Sequence, residues 1–252
     1  MELPNLIITL NNHKMKKTIL LLSSVLYSVI CFAQWTPLIS KTTYDLKSVF
    51  FTDPNTGFVV GDSGTIKKTI NGGISWSAQK SGTTICLRSV YFIDANTGFI
   101  VGAAGTILKT TDGGANWNVQ KSGTTNRLMS VNFTDSNTGY ACGGNGTIIK
   151  TTNSGITWNS LASGTTNSLL SVNFIDAYNG FAVGSSGTIL STTDGGNIWV
   201  TQKSGLSSKA NEIISSVTFN SANTGFAISS DTILKTMNGG LTWIAQLTGL
   251  KF

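Results

Sequence analysis

Carboxylates are the side chains of this sequence best suited to acid–base chemistry. A glycosidase needs two of them facing each other across a sugar, one protonated and one ionised. Six aspartates recur at fixed positions of a repeated pattern: Asp53, Asp94, Asp135 and Asp176 each begin a D-x-x-x-G turn, and Asp112 and Asp194 lie in T-x-D-x-G-x-x-W segments. Aspartate is a common turn former because its side chain bonds nearby backbone N–H groups. A paired-carboxylate enzyme is therefore only the alternative interpretation.

Other catalytic residue sets are excluded by count. The single histidine, His13, lies in the N-terminal segment, so a triad or a zinc site built on histidine cannot form. Arg88 and Arg127 are the only arginines of the sequence, whereas a site resembling that of a sialidase would need three arginines. The Gly-x-x-Gly turns join two strands, not a strand and a helix, so they are unlike a phosphate-binding loop. We expect no enzyme activity, no cofactor and no metal.

The T-x-D-x-G-x-x-W segments are better explained as structural hairpins. The acidic position is asparagine in three of the five copies, and a catalytic acid or metal ligand would not tolerate that exchange. A side chain that caps a turn would tolerate it. Glycine permits a left-handed backbone, and tryptophan anchors the hairpin. The residues of these segments, an Asp-box pattern, are Asn71, Gly73 and Trp76; Asp112, Gly114 and Trp117; Asn153, Gly155 and Trp158; Asp194, Gly196 and Trp199; and Asn238, Gly240 and Trp243.

The spacing of the tryptophans shows how these hairpins are positioned. Trp35 and the five Asp-box tryptophans are separated by four gaps of 41 residues and a last gap of 44. A fixed period near 40 residues indicates one repeated supersecondary unit. Each unit contains four short β-rich runs separated by turns of Gly, Asn, Asp and Ser, as residues 128–166 show.

These units predict an all-β fold, a β-propeller of four-stranded antiparallel blades. We expect the propeller to occupy residues 34–252, with repeats at about 45–84, 85–125, 126–166, 167–206 and 207–252. An extra N-terminal strand at Trp35 precedes them. Either five blades close into a ring, or the chain is an incomplete part of a longer propeller.

The N-terminal residues predict export. Residues 1–14 look like a spurious upstream extension, and residues 15–33 combine a short basic start, an apolar run and a small residue, which is typical of a signal peptide. We expect cleavage after Ala33, a secreted, periplasmic or cell-surface protein, and no stable membrane span after cleavage. The cleaved chain would keep 14 basic and 10 acidic side chains without a basic cluster, which argues against nucleic-acid binding.

Together with the segments G-F-x-V-G-x-x-G-T-I (57–66, 98–107 and 180–189), the repeats resemble the photosystem II stability/assembly factor family of β-propellers. The leader is similar to those of secreted proteins of Bacteroidetes. The resemblance implies a non-catalytic assembly or protein-binding module. The sequence differs from known members of the family in two respects. It has fewer repeats than their seven blades, and its two arginines are too few for an arginine-rich docking surface like theirs.

The positions that vary between otherwise similar repeats are the candidate binding residues. One position lies near the start of each first strand, and another lies in the loop between the second and third strands. They suggest a site at the rim of the propeller, composed of Lys47, Asp62, Arg88, Met129 and Leu170. A mixed charged and apolar rim suits a protein or peptide partner. The alternative is a carbohydrate-binding or glycoside-hydrolysing protein with a surface glycan as its ligand.

Overall fold

A computed structural model describes residues 37–206 and 212–246 of the chain. The predicted upstream extension, the signal peptide with its cleavage position and the extra strand at Trp35 lie outside these residues. So does most of the insertion that lengthens the last repeat. In the part of the chain that the structure describes, no helix has the length and apolar character needed to cross a membrane.

The described residues form five sheets, each of four antiparallel strands in sequence order. The strands of blade 1 are β1 (Leu46–Phe51), β2 (Gly57–Gly61), β3 (Ile66–Thr69) and β4 (Ser77–Gln79); those of blade 2 are β5 (Leu87–Phe92), β6 (Gly98–Gly102), β7 (Ile107–Thr110) and β8 (Asn118–Gln120); those of blade 3 are β9 (Leu128–Phe133), β10 (Gly139–Gly143), β11 (Ile148–Thr151) and β12 (Asn159–Leu161); those of blade 4 are β13 (Leu169–Phe174), β14 (Gly180–Gly184), β15 (Ile189–Thr192) and β16 (Val200–Gln202); and those of blade 5 are β17 (Ile214–Phe219), β18 (Gly225–Ser229), β19 (Ile233–Thr236) and β20 (Ile244–Gln246). Short 3-10 turns span Asp62–Gly64, Ala103–Gly105 and Gly144–Gly146. The predicted β-propeller fold of four-stranded blades is confirmed.

The hydrophobic core lies between blades. The first strands of successive blades pack side by side in the order β1, β5, β9, β13 and β17. At each junction one blade contributes its trailing face, which in blade 1 consists of Phe58, Val60 and Ile66. The next blade contributes its leading face. In blade 2 this face is composed of Leu87, Val90, Phe92 and Trp117.

Aromatic rings join the two faces at each junction. Between blades 1 and 2, the ring of Phe58 stacks on Phe92 at 4.3 Å between centroids and meets Trp117 edge-on at 6.3 Å. Such pairs contribute about 0.5–1.5 kcal/mol beyond the area that they bury. Because the repeat length is constant, the same arrangement recurs at later junctions, for example between Phe99, Phe133 and Trp158. The five described blades do not close into a ring, since Val49 and Phe51 on the leading face of blade 1 and Ile228 and Ile233 on the trailing face of blade 5 are exposed to solvent.

Candidate functional site

The Asp-box position of each repeat caps the hairpin between the third and fourth strands. Asp112 Oδ1 accepts a hydrogen bond from the backbone N–H of Asn116 at 2.9 Å. Asn153 Oδ1 accepts the equivalent bond from the N–H of Thr157, also at 2.9 Å. An amide oxygen thus makes the same bond as a carboxylate oxygen. This geometry accounts for the exchange of aspartate and asparagine between repeats without any catalytic role.

The glycine two residues after the cap is required by backbone conformation and by packing. Gly114 has a positive φ of 82°. A Cβ atom on Gly114 would lie 2.5 Å from a ring carbon of Phe58 in the preceding blade, which is too close for any side chain. The equivalent backbone is also left-handed at Gly73, Gly155, Gly196 and Gly240. The tryptophans that follow, Trp117, Trp158, Trp199 and Trp243, are buried.

The turn aspartates are bound by their own backbone. Asp94 Oδ1 accepts hydrogen bonds from the N–H groups of Asn96 and Thr97, both at 2.7 Å, and these bonds lower the pKa of its carboxyl. The pKa of Asp112 falls to about 2, mainly because its carboxylate accepts the Asn116 N–H. The general acid of a glycosidase has a raised pKa. These aspartates have the opposite property.

Three of the predicted rim residues come together where blade 1 meets blade 2. Lys47 Nζ lies 2.9 Å from Asp45 Oδ2 and 3.3 Å from Asp62 Oδ2. The thiol of Cys86 donates a hydrogen bond to the other oxygen of Asp62. This bond, followed by the positive charges of Lys47 and Arg88, lowers the pKa of Asp62. Burial and the bond to Asp62 raise the pKa of Cys86. The result is a compact charged cluster at one end of the first strands.

The remaining two rim residues extend this cluster as a row. Met129 in β9 and Leu170 in β13 occupy the positions that Lys47 and Arg88 occupy in β1 and β5. Because these strands are neighbours, the row crosses four consecutive blades and changes from charged to apolar. Met129, Leu170 and Arg88 are half-buried. The Nε atom of Arg88 is buried and has no hydrogen-bond partner among the described residues.

The sequence interpretation missed a second variable position at this edge, directly before each first strand. It is occupied by Asp45, Cys86, Arg127 and Ser168 in the first four repeats. Arg127 Nη2 donates to Ser168 Oγ at 3.2 Å, so this side chain bridges blades 3 and 4. Both arginines of the chain therefore lie at the same edge as Lys47. The variation of this position between repeats is the sequence signal that identifies it.

Lysine side chains tie successive blades together away from this edge. Lys68, Lys109 and Lys150 each lie over an aromatic ring of their own blade and donate to a backbone carbonyl in the hairpin of the next. Blade 4 has Ser191 at this position. A cavity of 280 Å³ lies there between blades 4 and 5, lined in part by Phe181, Ser191 and Gly239. Residues 37–206 and 212–246 contain no cluster of His, Cys, Asp and Glu that could hold a metal ion.

The fold and this edge define a β-propeller built from Asp-box-like repeats, with a charged and apolar row across its first strands. The profile described as "Photosynthesis system II assembly factor YCF48" matches three overlapping stretches, residues 28–118, 80–163 and 156–248. These stretches cover most of the sequence. The chain belongs to the photosystem II assembly factor YCF48 family.

Solved structures show the same fold at low sequence identity. YCF48 bound to D1 peptide is 18% identical, with a TM-score of 0.62 over 86% of this chain and 85% of that one. YCF48 from Cyanidioschyzon merolae is 20% identical, with a TM-score of 0.60 over 85% and 88%. A GH74 enzyme of Niastella koreensis is 17% identical, with a TM-score of 0.72 over 86% of this chain but 41% of its own. No curated protein sequence matches the chain.

Proposed function

We propose that this chain is a non-catalytic binding module that captures a peptide or an extended segment of a protein. Membership of the YCF48 family supports the proposal, since a YCF48 protein has been solved with a bound peptide. The site that we propose is the edge carrying Lys47, Asp62, Arg88, Met129 and Leu170, extended by Arg127. The observation that carries the choice of this edge is the cluster around Asp62, which concentrates charges from two blades.

The chemistry of the edge indicates what the peptide would present. Lys47, Arg88 and Arg127 provide three cations, whereas Asp45 and Asp62 provide two carboxylates, both within reach of Lys47. Arg88 and Arg127 thus have unused donors for an acidic side chain or a C-terminal carboxylate. Met129 and Leu170 offer an apolar surface beside them. We expect preference for a peptide with an acidic group next to an apolar residue.

Binding of labelled peptides by fluorescence anisotropy tests this site. The panel contains peptides of equal length that are acidic and apolar, neutral, or basic. We expect the acidic and apolar peptide to bind most tightly and Arg88→Gln to weaken its binding about 10-fold, since a hydrogen bond to a charged group contributes about 1.5 kcal/mol. Lys121→Gln is the matched control because Lys121 is exposed and lies outside the edge. Equal affinities for the two variants would refute the site.

A glycoside hydrolase is the second candidate, and one observation favours it. The GH74 enzyme has a higher TM-score than either YCF48 structure. Against it, the turn and Asp-box carboxylates described above cap backbone N–H groups, and their lowered pKa values are unsuited to a general acid. Release of reducing sugar from a β-glucan by the purified chain would show that the non-catalytic proposal is wrong.

We also propose that the protein acts outside the cytoplasm, in the periplasm, at the cell surface or in the medium. The sequence of residues 15–33 supports this proposal. N-terminal sequencing of the protein from fractionated cells tests it. A mature chain that begins at Gln34 in a non-cytoplasmic fraction is the expected result, and an uncleaved cytoplasmic chain is the contrary one.

A further inference from the structure

The four junctions between blades share one set of polar contacts. At each junction the serine two residues after the start of a first strand accepts a hydrogen bond from a valine N–H in the next blade. The donor and acceptor pairs are Val90 N to Ser48 Oγ, Val131 N to Ser89 Oγ, Val172 N to Ser130 Oγ and Val217 N to Ser171 Oγ, at 3.3–3.4 Å. Three junctions add the bond from a lysine Nζ to a hairpin carbonyl, at 2.6–2.7 Å. A blade thus recognises its neighbour by fixed donors and acceptors as well as by apolar fit.

The leading face of blade 1 carries one half of this set without a partner blade among the described residues. The chain itself covers part of this face, since Val59 and Lys67 are buried and Lys67 Nζ donates to the Lys41 carbonyl at 2.9 Å. The rest of the face is open. Val49 is 59% exposed and Phe51 is 42% exposed, whereas the equivalent Val90 and Phe92 of blade 2 are each 4% exposed. In blade 1 the backbone N–H of Val49 occupies the position of the Val90 N–H, which in blade 2 donates to Ser48 of the preceding blade. The Gly72 carbonyl of blade 1 occupies the position of the Gly113 carbonyl, which accepts the hydrogen bond of Lys68.

The trailing face of blade 5 carries the other half. Ile228 is 49% exposed and Ile233 is 38% exposed, whereas the equivalent side chains of blade 4 are fully buried. Lys235 Nζ already lies over the ring of Phe226, 5.8 Å from its centroid, as the other lysines lie over their rings. Ser216 occupies the position of the accepting serines and is exposed.

We propose that the trailing face of blade 5 in one copy of this chain docks on the leading face of blade 1 in a second copy. The new junction would repeat the serine–valine bond of the four internal ones and the apolar contact at Val49 and Phe51, whereas Lys67 stands where blade 2 has the buried Leu108. Lys235 would donate to the Gly72 carbonyl, and Ser216 would accept the Val49 N–H. The argument for a second copy is this continuity with the internal interface, because the chain itself presents both matching halves. The two halves are different surfaces, so the contact is head-to-tail and produces a ring or a filament.

Mass measurement of the purified chain and of two face variants tests the proposal. Val49→Glu places a charge on the leading face, and Ile228→Glu places one on the trailing face. Both side chains are exposed in the single chain, so each variant should fold, which thermal melting checks. Val119→Glu and Ile156→Glu are matched controls at exposed positions outside both faces.

We expect the wild type and both controls to form species of two or more chains at about 100 µM, a concentration that fills an interface with a Kd of about 1–10 µM. Each face variant alone should be monomeric. An equimolar mixture of the two should form a one-to-one dimer, because it retains one intact trailing face and one intact leading face. A monomeric wild type, as closure of the chain on itself would produce, overturns the proposal. So does a mixture that stays monomeric, since a head-to-tail contact requires the two variants to complement each other.

Discussion

Replacing Lys109 by methionine should weaken the junction between blades 2 and 3. Lys109 Nζ donates to the Ser154 carbonyl at 2.6 Å, lies 3.3 Å from Ser154 Oγ, and stands 5.4 Å from the centre of the Phe99 ring. Methionine keeps the apolar stem and removes the ammonium group, so the substitution isolates these contacts. A hydrogen bond from a charged donor contributes about 1.5–3 kcal/mol, and an exposed cation–π contact about 0.5–1 kcal/mol.

Two effects make the expected loss of stability smaller than the sum of these two contributions. Desolvation lowers the pKa of Lys109, which shows that burial of the charge costs part of what the bonds gain. The side chain is only half-buried, and water can partly replace the lost donor. We therefore expect a loss of about 1.5 kcal/mol, or about 3–6 °C in Tm for a domain of this size.

Thermal unfolding followed by circular dichroism at neutral pH measures this loss. Lys121→Met is the matched control, because Lys121 is exposed and makes no hydrogen bond among the described residues. Its Tm should change by less than about 1 °C, since substitutions at such surface positions usually fall within about 0.5 kcal/mol. If both variants melt at the same temperature, the lysine contacts do not stabilise the junctions.

The same contacts and the Asp-box cap support two further predictions. Ser191→Lys should place an ammonium group in the cavity between blades 4 and 5, where it can reach the Gly239 carbonyl. The added hydrogen bond should raise the Tm by about 1–4 °C. An unchanged or lower Tm would show that the lysines at this position of blades 1 to 3 do not stabilise their junctions. Asp112→Asn should reduce acid sensitivity. The pKa of Asp112 is about 2 in the folded chain and 3.8 for a free aspartate side chain, so its contribution to stability is present above pH 4 and is lost as the pH falls from 4 towards 2. Melting curves between pH 6 and pH 2 check this, and parallel losses in wild type and variant would refute it.

Local regularity is what made the fold predictable from the sequence. The 41-residue spacing of Trp76, Trp117 and Trp158 requires one repeated unit, and the turn residues leave room for four short strands in it. The exchange of aspartate and asparagine at the Asp-box position likewise indicated a cap, because a turn is closed by residues four positions apart. The rim was predictable only as a set of variable positions, Lys47, Asp62 and Arg88 among them.

The sequence by itself thus determined the repeat, the strand order within a blade and the hairpin caps, since all of these depend on residues close together along the chain. Only the tertiary structure decided which residues of different blades meet. Lys109 bonds to Ser154, 45 residues away, and Cys86 bonds to Asp62, 24 residues away. It also decided that the leading face of blade 1 and the trailing face of blade 5 remain apart. The physical reason is that such contacts depend on the rotation between neighbouring blades, which is fixed by side-chain packing across the junction and not by residues close together along the chain.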